Sequence, residues 1–208
     1  FVPAPPGKFP PLYYADSQEA GLTLGSVNAG NSQQLYVDGG GVNKGFHDVF
    51  VGDHQDTKQY AVLHKALLKK AAGAADAFEV YAAGSNPLAF SYVRTAQVTN
   101  HAGYLDGVCF VDVFTPAYAP HGIAANAAMV YLAPPYGDNY HQDETAFLQA
   151  ITKASEHVVE TVSGYNAIAA QHAQPAIEAL RLCLFSSGIY NTMDISPYTI
   201  ARTIYAAL

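Results

Sequence analysis

The sequence predicts an α/β layered sandwich built on a mostly parallel or mixed sheet. Three observations predict it. Val108–Phe114 (VCFVDVF) and Ala128–Leu132 (AMVYL) are near-continuous apolar runs, as expected of strands covered on both faces. Glu144–Val162 repeats its apolar residues at helical spacing. Strands and helices of these lengths then alternate along the chain, which suits helices packed on a sheet. The 208 residues suffice for one domain with a full hydrophobic core. No internal repeat, heptad array or linker divides residues 1–208, so a single domain is expected.

Residues 1–11 hold five prolines and read as an extended lead-in, unable to join a helix and ill suited to a central strand. They lack the apolar stretch of a signal peptide. The chain opens on Phe1 rather than Met, so it is expected to be a piece of something longer. Leu22–Asn28 (LTLGSVN) reads as a short strand, and Asn28–Gly45 as a loop rich in Gly and Asn. Asp56–Ala72 has helical spacing through Tyr60, Leu63, Leu67 and Leu68, with Lys69 and Lys70 near its end and Gly73 as a stop.

Phe78–Ala83 (FEVYAA) is a further strand, followed by the runs at Val108–Phe114 and Ala128–Leu132. PPYGDN then marks a turn. In Glu144–Val162 the stripe is Phe147, Ile151, Ala154, Val158 and Val162, with Asp143 placed to cap the first turn. Leu180–Phe185 (LRLCLF) reads as a buried strand running into SSGIYN. Ser196–Leu208 reads as a final helix, with Ser196 as cap and Pro197 in the first helical position.

Composition narrows the function. Half the residues are apolar and 13% are charged, which excludes a disordered chain. No apolar run approaches the roughly 20 residues that span a bilayer, so no membrane partner is expected, and a soluble, intracellular chain is. Ten Lys and Arg stand against seventeen acids, a formal charge of −7. A protein that grips phosphates usually carries a basic face, so no nucleic-acid partner is expected. Cys109 and Cys183 are too few for a disulfide framework and read as small buried residues. His47, His54 and His64 are too far apart, with no cysteine near, for a zinc site. No metal or cofactor is expected.

Two small-residue loops carry the candidate chemistry. In Val27–His47 three successive glycines, Gly39, Gly40 and Gly41, let backbone N–H groups converge on an anion. A helix starting near Val42 would add its N-terminal dipole. Ser186–Tyr190 (SSGIY) lies directly past an apolar strand. In open α/β sheets ligands bind outside the carboxyl ends of strands, so the two loops are placed to clamp a diphosphate. Neither GxxxxGK followed by Ser or Thr, nor GxGxxG after a strand, nor the GxSxG nucleophile elbow is present.

Together the loops resemble the macro domain family. Its first signature, VNAAN followed later by GGGV, reads here as Val27-Asn28-Ala29-Gly30-Asn31 and then Gly39-Gly40-Gly41-Val42-Asn43-Lys44-Gly45-Phe46-His47. Its second, a strand running into S-x-G-I-Y, reads LCLFSSGIYN, with Asn191 in the last glycine's place. VDVFTPAYAP is similar to the strand that ends in T-V-G-P in that family. The resemblance implies a three-layer α/β/α sandwich with a mixed, mostly parallel central sheet that binds ADP-ribose. It implies an adenine contact from Asp16, twelve residues before Asn28, and distal-ribose contacts from Asn31. It implies a ligand contact from Asn28 and a diphosphate wrapped by Gly39, Gly40, Gly41, Val42, Ser186, Ser187, Gly188 and Ile189, with Tyr190 near the distal ribose.

The activity so implied is hydrolysis of ADP-ribose from ADP-ribosylated protein. Asn43 stands where many hydrolytic members have Asp, and His47 follows four residues later. His47–Gln59 (HDVFVGDHQDTKQ) is acidic, as in the poly(ADP-ribose) glycohydrolase-like branch, although no QEE is present. Asp48, one residue past His47, is the preferred catalytic carboxylate. The alternative is a non-catalytic reader of ADP-ribosylated partners, since the Asn43 amide cannot act as a base. An interaction module within a larger protein is the third reading.

Overall fold

The computed structural model describes residues 23–30, 77–83, 86–93, 98–99, 105–107, 109–114 and 128–208. Its strands are β1 (Leu24–Ala29), β2 (Ala77–Ala83), β3 (Asn86–Val93), β4 (Val98–Thr99), β5 (Leu105–Asp106), β6 (Cys109–Phe114), β7 (Ala128–Leu132) and β8 (Ala179–Arg181). Its helices are α1 (Glu144–Ala169) and α2 (Pro197–Ala206). Six strands form one sheet in the order β2-β3-β6-β7-β1-β8, while β4 and β5 pair by themselves.

The class is α/β, as the alternation of runs predicts, and the sheet is mixed. Its expected parallel majority is corrected. β1 pairs in parallel with β7 and β8, but β2–β3, β3–β6 and β6–β7 are antiparallel. The reason is connectivity. Two residues separate Ala83 from Asn86, a link that only antiparallel neighbours can share.

β7, α1 and β8 form a crossover unit. A parallel return needs a long connection, and the 26-residue α1 supplies it. β1 lies between β7 and β8, so all three strands point the same way. α1 forms where the spacing places it, and the Asp143 side chain accepts from the Ala146 N–H at 2.9 Å. Its stripe is buried, from Phe147 through Ile151, Ala154 and Val158 to Val162. The helix continues beyond the expected Val162 because Tyr165 and Ala169 extend that stripe.

The core lies between α1 and one face of the sheet. Val27, Val111, Val113, Val130 and Leu132 meet Phe147, Ile151 and Val158 there. Register puts Val27 and Val111 on either side of Val130, so these three share a face. Gly25 belongs to this face, and a Cβ there would lie 3.0 Å from both Ile177 and Leu180. The turn into β8 is tied to α1 by Asn166, which donates to the Ile177 carbonyl at 2.9 Å and accepts from its N–H at 2.8 Å. α2 packs against α1 through Ile200 and Ile204. Ser196 accepts from the Thr199 N–H at 3.1 Å, and Pro197 opens the helix as expected.

Every residue of β7 is buried. Successive strand residues face opposite sides, so both faces of this strand are covered. Ser26, Asn28, Met129 and Tyr131 are the buried residues on the face turned from α1. The expected loop Asn28–Gly45 begins later, since Asn28 and Ala29 belong to β1; its residues 31–45 and the expected helix at Asp56–Ala72 lie outside the described residues. So does the lead-in at residues 1–11.

Candidate functional site

Because β1, β7 and β8 are parallel, the segments leaving their carboxyl ends emerge on one side of the sheet. Three hydrogen bonds join them. The Gly30 N–H after β1 donates to the Leu132 carbonyl at 2.9 Å. The Gly137 N–H donates to the Tyr190 carbonyl at 2.8 Å. The Ser186 hydroxyl donates to the Pro135 carbonyl at 2.8 Å. The loop after β7 (PPYGD) and the loop after β8 (SSGIY) thus form one rim.

Glycine is required where the two loops touch. A Cβ on Gly137 would lie 2.6 Å from the Thr192 hydroxyl and 3.1 Å from both the Tyr190 carbonyl oxygen and the Thr192 nitrogen. The aromatic rings of Tyr136 and Tyr190 meet edge to face with centroids 5.4 Å apart. Tyr136 donates its hydroxyl to Asp138 at 2.6 Å, and this bond raises the Tyr136 pKa. Hydrogen bonds from Thr192 and then Tyr136 hold the Asp138 carboxyl below the usual carboxylate range.

The expected ligand residues of this second loop divide by role. Ser186 is buried, at a left-handed φ of 59°, and its hydroxyl ties this loop to the loop after β7. Ser187 donates to the Leu184 carbonyl at 2.6 Å. Gly188 faces open space, with nothing within 4 Å of a Cβ there. Ile189 is 81% exposed at the tip, and Tyr190 is half-buried. Asn191, in the place of the last glycine, accepts from the Ile195 N–H and donates to its carbonyl, which turns the chain toward α2. The expected strand Leu180–Phe185 is shorter, because β8 ends at Arg181.

Asn28 lies in β1 with its register partner Tyr131 in β7, and is buried. Asp16, Asn31, Gly39, Gly40, Gly41, Val42, Asn43, His47 and Asp48 lie outside the described residues. Tyr136, Gly137 and Asp138 fall in the Tyr-rich segment Tyr131–Tyr140, which reads in sequence as a surface turn or as a rim that touches substrate. Their signal is the same as that of SSGIY, small and aromatic residues immediately past an apolar strand. Cys109 is fully buried, and burial pushes its thiol up to about 12. Burial also pushes the Cys183 thiol up to about 11. Among the described residues no three His, Cys, Asp or Glu side chains gather as metal ligands. Among them, no helix is long and apolar enough to cross a membrane.

A mixed α/β sheet with a rim of loops past its parallel strands defines the described residues as an α/β domain. Within that class, residues 5–204 match the Mitochondrial association factor 1 C-terminal domain, and the chain belongs to this family. It is 28% identical over 222 residues to a protein of Plasmodium falciparum (isolate 3D7) named DNA/RNA-binding protein ALBA4, covering 96% of this chain and 56% of that protein. It is 27% identical over 216 residues to the protein of the same name in Plasmodium yoelii yoelii, covering 98% of this chain and 56% of that protein. The chain spans about half the length of these curated relatives.

These findings correct the macro domain assignment. Membership of another family over nearly the whole chain overturns it, and with it ADP-ribose binding, ADP-ribosyl hydrolysis and the reader alternative. The resemblance rested on two short segments rich in glycine and small residues and on a loose match at VDVFTPAYAP. Such loops recur wherever strands end beneath a ligand or a tight turn. The expectation of no nucleic-acid partner is overturned too, by relatives named for binding DNA and RNA. Net charge is a sum over the whole surface, and it does not report a local contact patch.

Proposed function

We propose that this chain binds nucleic acid as a single strand, with the rim at the carboxyl ends of β1, β7 and β8 as its contact surface. The observation that carries this reading is similarity over 96% and 98% of the chain to proteins named for DNA and RNA binding. The rim supplies suitable chemistry. Tyr136 and Tyr190 are partly exposed rings, and aromatic stacking holds bases of any sequence. Gly188 leaves the backbone of its loop open to a close approach.

With a formal charge of −7, the chain relies on stacking more than on counterion release. Fluorescence anisotropy with labelled oligouridylate and oligothymidylate tests the proposal. Binding is expected with a shallow salt dependence. Tyr136→Ala and Tyr190→Ala each weaken it roughly tenfold, while the Phe variants retain it. Failure of both oligonucleotides to bind at low salt would overturn the reading.

The same reading includes a three-layer α/β/α arrangement. Support comes from β7, whose five residues are all buried although α1 covers one face of the sheet.

A further inference from the structure

The helix α2 turns two different faces outward and inward. Ile200 and Ile204 are buried against the rest of the fold. Tyr198 and Tyr205 are 72% and 56% exposed, among the few large apolar side chains so exposed in the described residues. Arg202 lies between them in sequence and is also exposed. Its spacing is four residues from Tyr198 and three from Tyr205, which puts all three side chains on one helix face. The Arg202 guanidinium sits over the Tyr198 ring at 6.0 Å from its centroid. A helix rise of about 1.5 Å per residue separates the two tyrosines by roughly 10 Å along the axis.

From this stripe we infer a second contact surface for single-stranded nucleic acid on α2, an inference that rests on the nucleic-acid reading above. Two tyrosines provide flat faces for bases, and the arginine between them provides a cation for the phosphate that links those bases. Charge complementarity selects this occupant. The chain as a whole is strongly acidic, yet the helix Pro197–Ala206 contains no Asp or Glu, and Arg202 is its one charged side chain; the exposed Asp194 lies before its cap. The stripe also contains no aliphatic side chain of the kind that fills a protein groove.

The test is oligouridylate binding by the 208-residue chain and by variants of the outward face alone. Tyr198→Ala and Tyr205→Ala are each expected to weaken binding roughly tenfold. Tyr198→Phe with Tyr205→Phe keeps the rings and is expected to bind as the parent does. Arg202→Glu is expected to weaken binding and to flatten what salt dependence there is. All three positions are exposed, so thermal melts should match the parent and separate lost contacts from lost fold. If the parent binds and the alanine variants bind equally well, the α2 surface is overturned while the rim reading stands. If the parent binds no oligonucleotide, both fall. Unchanged oligonucleotide affinity with loss of a protein partner would likewise overturn the α2 assignment in favour of a protein-docking face.

Discussion

Tyr136 and Tyr190, fifty-four residues apart, meet edge to face with their ring centroids at 5.4 Å. The contact locks the loop after β7 to the loop after β8. The Gly137 N–H, donated to the Tyr190 carbonyl at 2.8 Å, fastens the same junction through the backbone. The rim is therefore one unit, and it can be disturbed at a single position.

That position is Gly137. Gly137→Ala puts a Cβ within 2.6 Å of the Thr192 hydroxyl and 3.1 Å of two backbone atoms, so the loops must separate. The expected cost is about 1–3 kcal/mol, read as a lower urea midpoint. Gly188→Ala meets nothing within 4 Å and is expected to leave the midpoint unchanged. Equal effects at the two glycines would contradict the rim geometry.

Asn166 bridges α1 to the entry of β8 by bonding both backbone groups of Ile177. Asn166→Ala leaves both groups short of their partner, at an expected cost of about 1–3 kcal/mol. Asn166→Asp keeps the acceptor for the Ile177 N–H but loses the donor. It should still destabilise, and chemical denaturation of the two variants measures the difference.

The face of α1 toward the sheet is close-packed around Phe147 and Ile151, both fully buried. Phe147→Ala is expected to cost about 3–5 kcal/mol and Ile151→Val about 0.5–1.5 kcal/mol. Calorimetric unfolding should rank them in that order, with the alanine variant close to the limit of what a domain tolerates.

Alkaline pH should weaken the fold through its thiols. Burial raises Cys109 from 9.0 to about 12 and Cys183 to about 11, so the native state holds these protons more tightly than the unfolded chain. Their contribution is fully present below pH 9 and is lost as pH rises from there toward those native values. Tyr165, also raised by burial, acts in the same direction. Cys109→Ala should reduce the slope of stability against pH above 9, measured by urea titrations at a series of pH values. In the native protein at neutral pH, Cys109 should resist a thiol reagent that labels the unfolded chain at once.

The elements that the sequence disclosed best are those whose signal is local. Asp143 and Ser196 mark their helix starts because the capping bond is made within three residues. β7 reads directly, since a strand covered on both sides needs no alternation. β3 escaped notice because Pro87 sits near its start, where it breaks an otherwise strand-like run, NPLAFSYV. The register shift between Tyr81 and Ala82 accommodates that proline's end of the hairpin. β8 was drawn too long because LRLCLF stays apolar after the hydrogen-bonded pairing stops at Arg181.

At the site, SSGIY was legible as a loop past a strand, and its placement follows from the crossover through α1. Its partner loop could not be identified so simply. Tyr136 and Gly137 lie about fifty residues upstream, and only the parallel order of β7, β1 and β8 brings them together. The family was not legible from glycine spacing, which constrains backbone shape more than it identifies a ligand.

A strand hidden on both sides divides the duties of its own neighbourhood along the chain. Replacements within Ala128–Leu132 can reach the outside world only by altering how well the domain holds together. Four residues further on, the partly exposed Tyr136 spends its ring on Tyr190 and its hydroxyl on Asp138, at the surface. A handful of peptide bonds thus separates a stretch whose changes are felt inside the fold from one whose changes are felt at its rim.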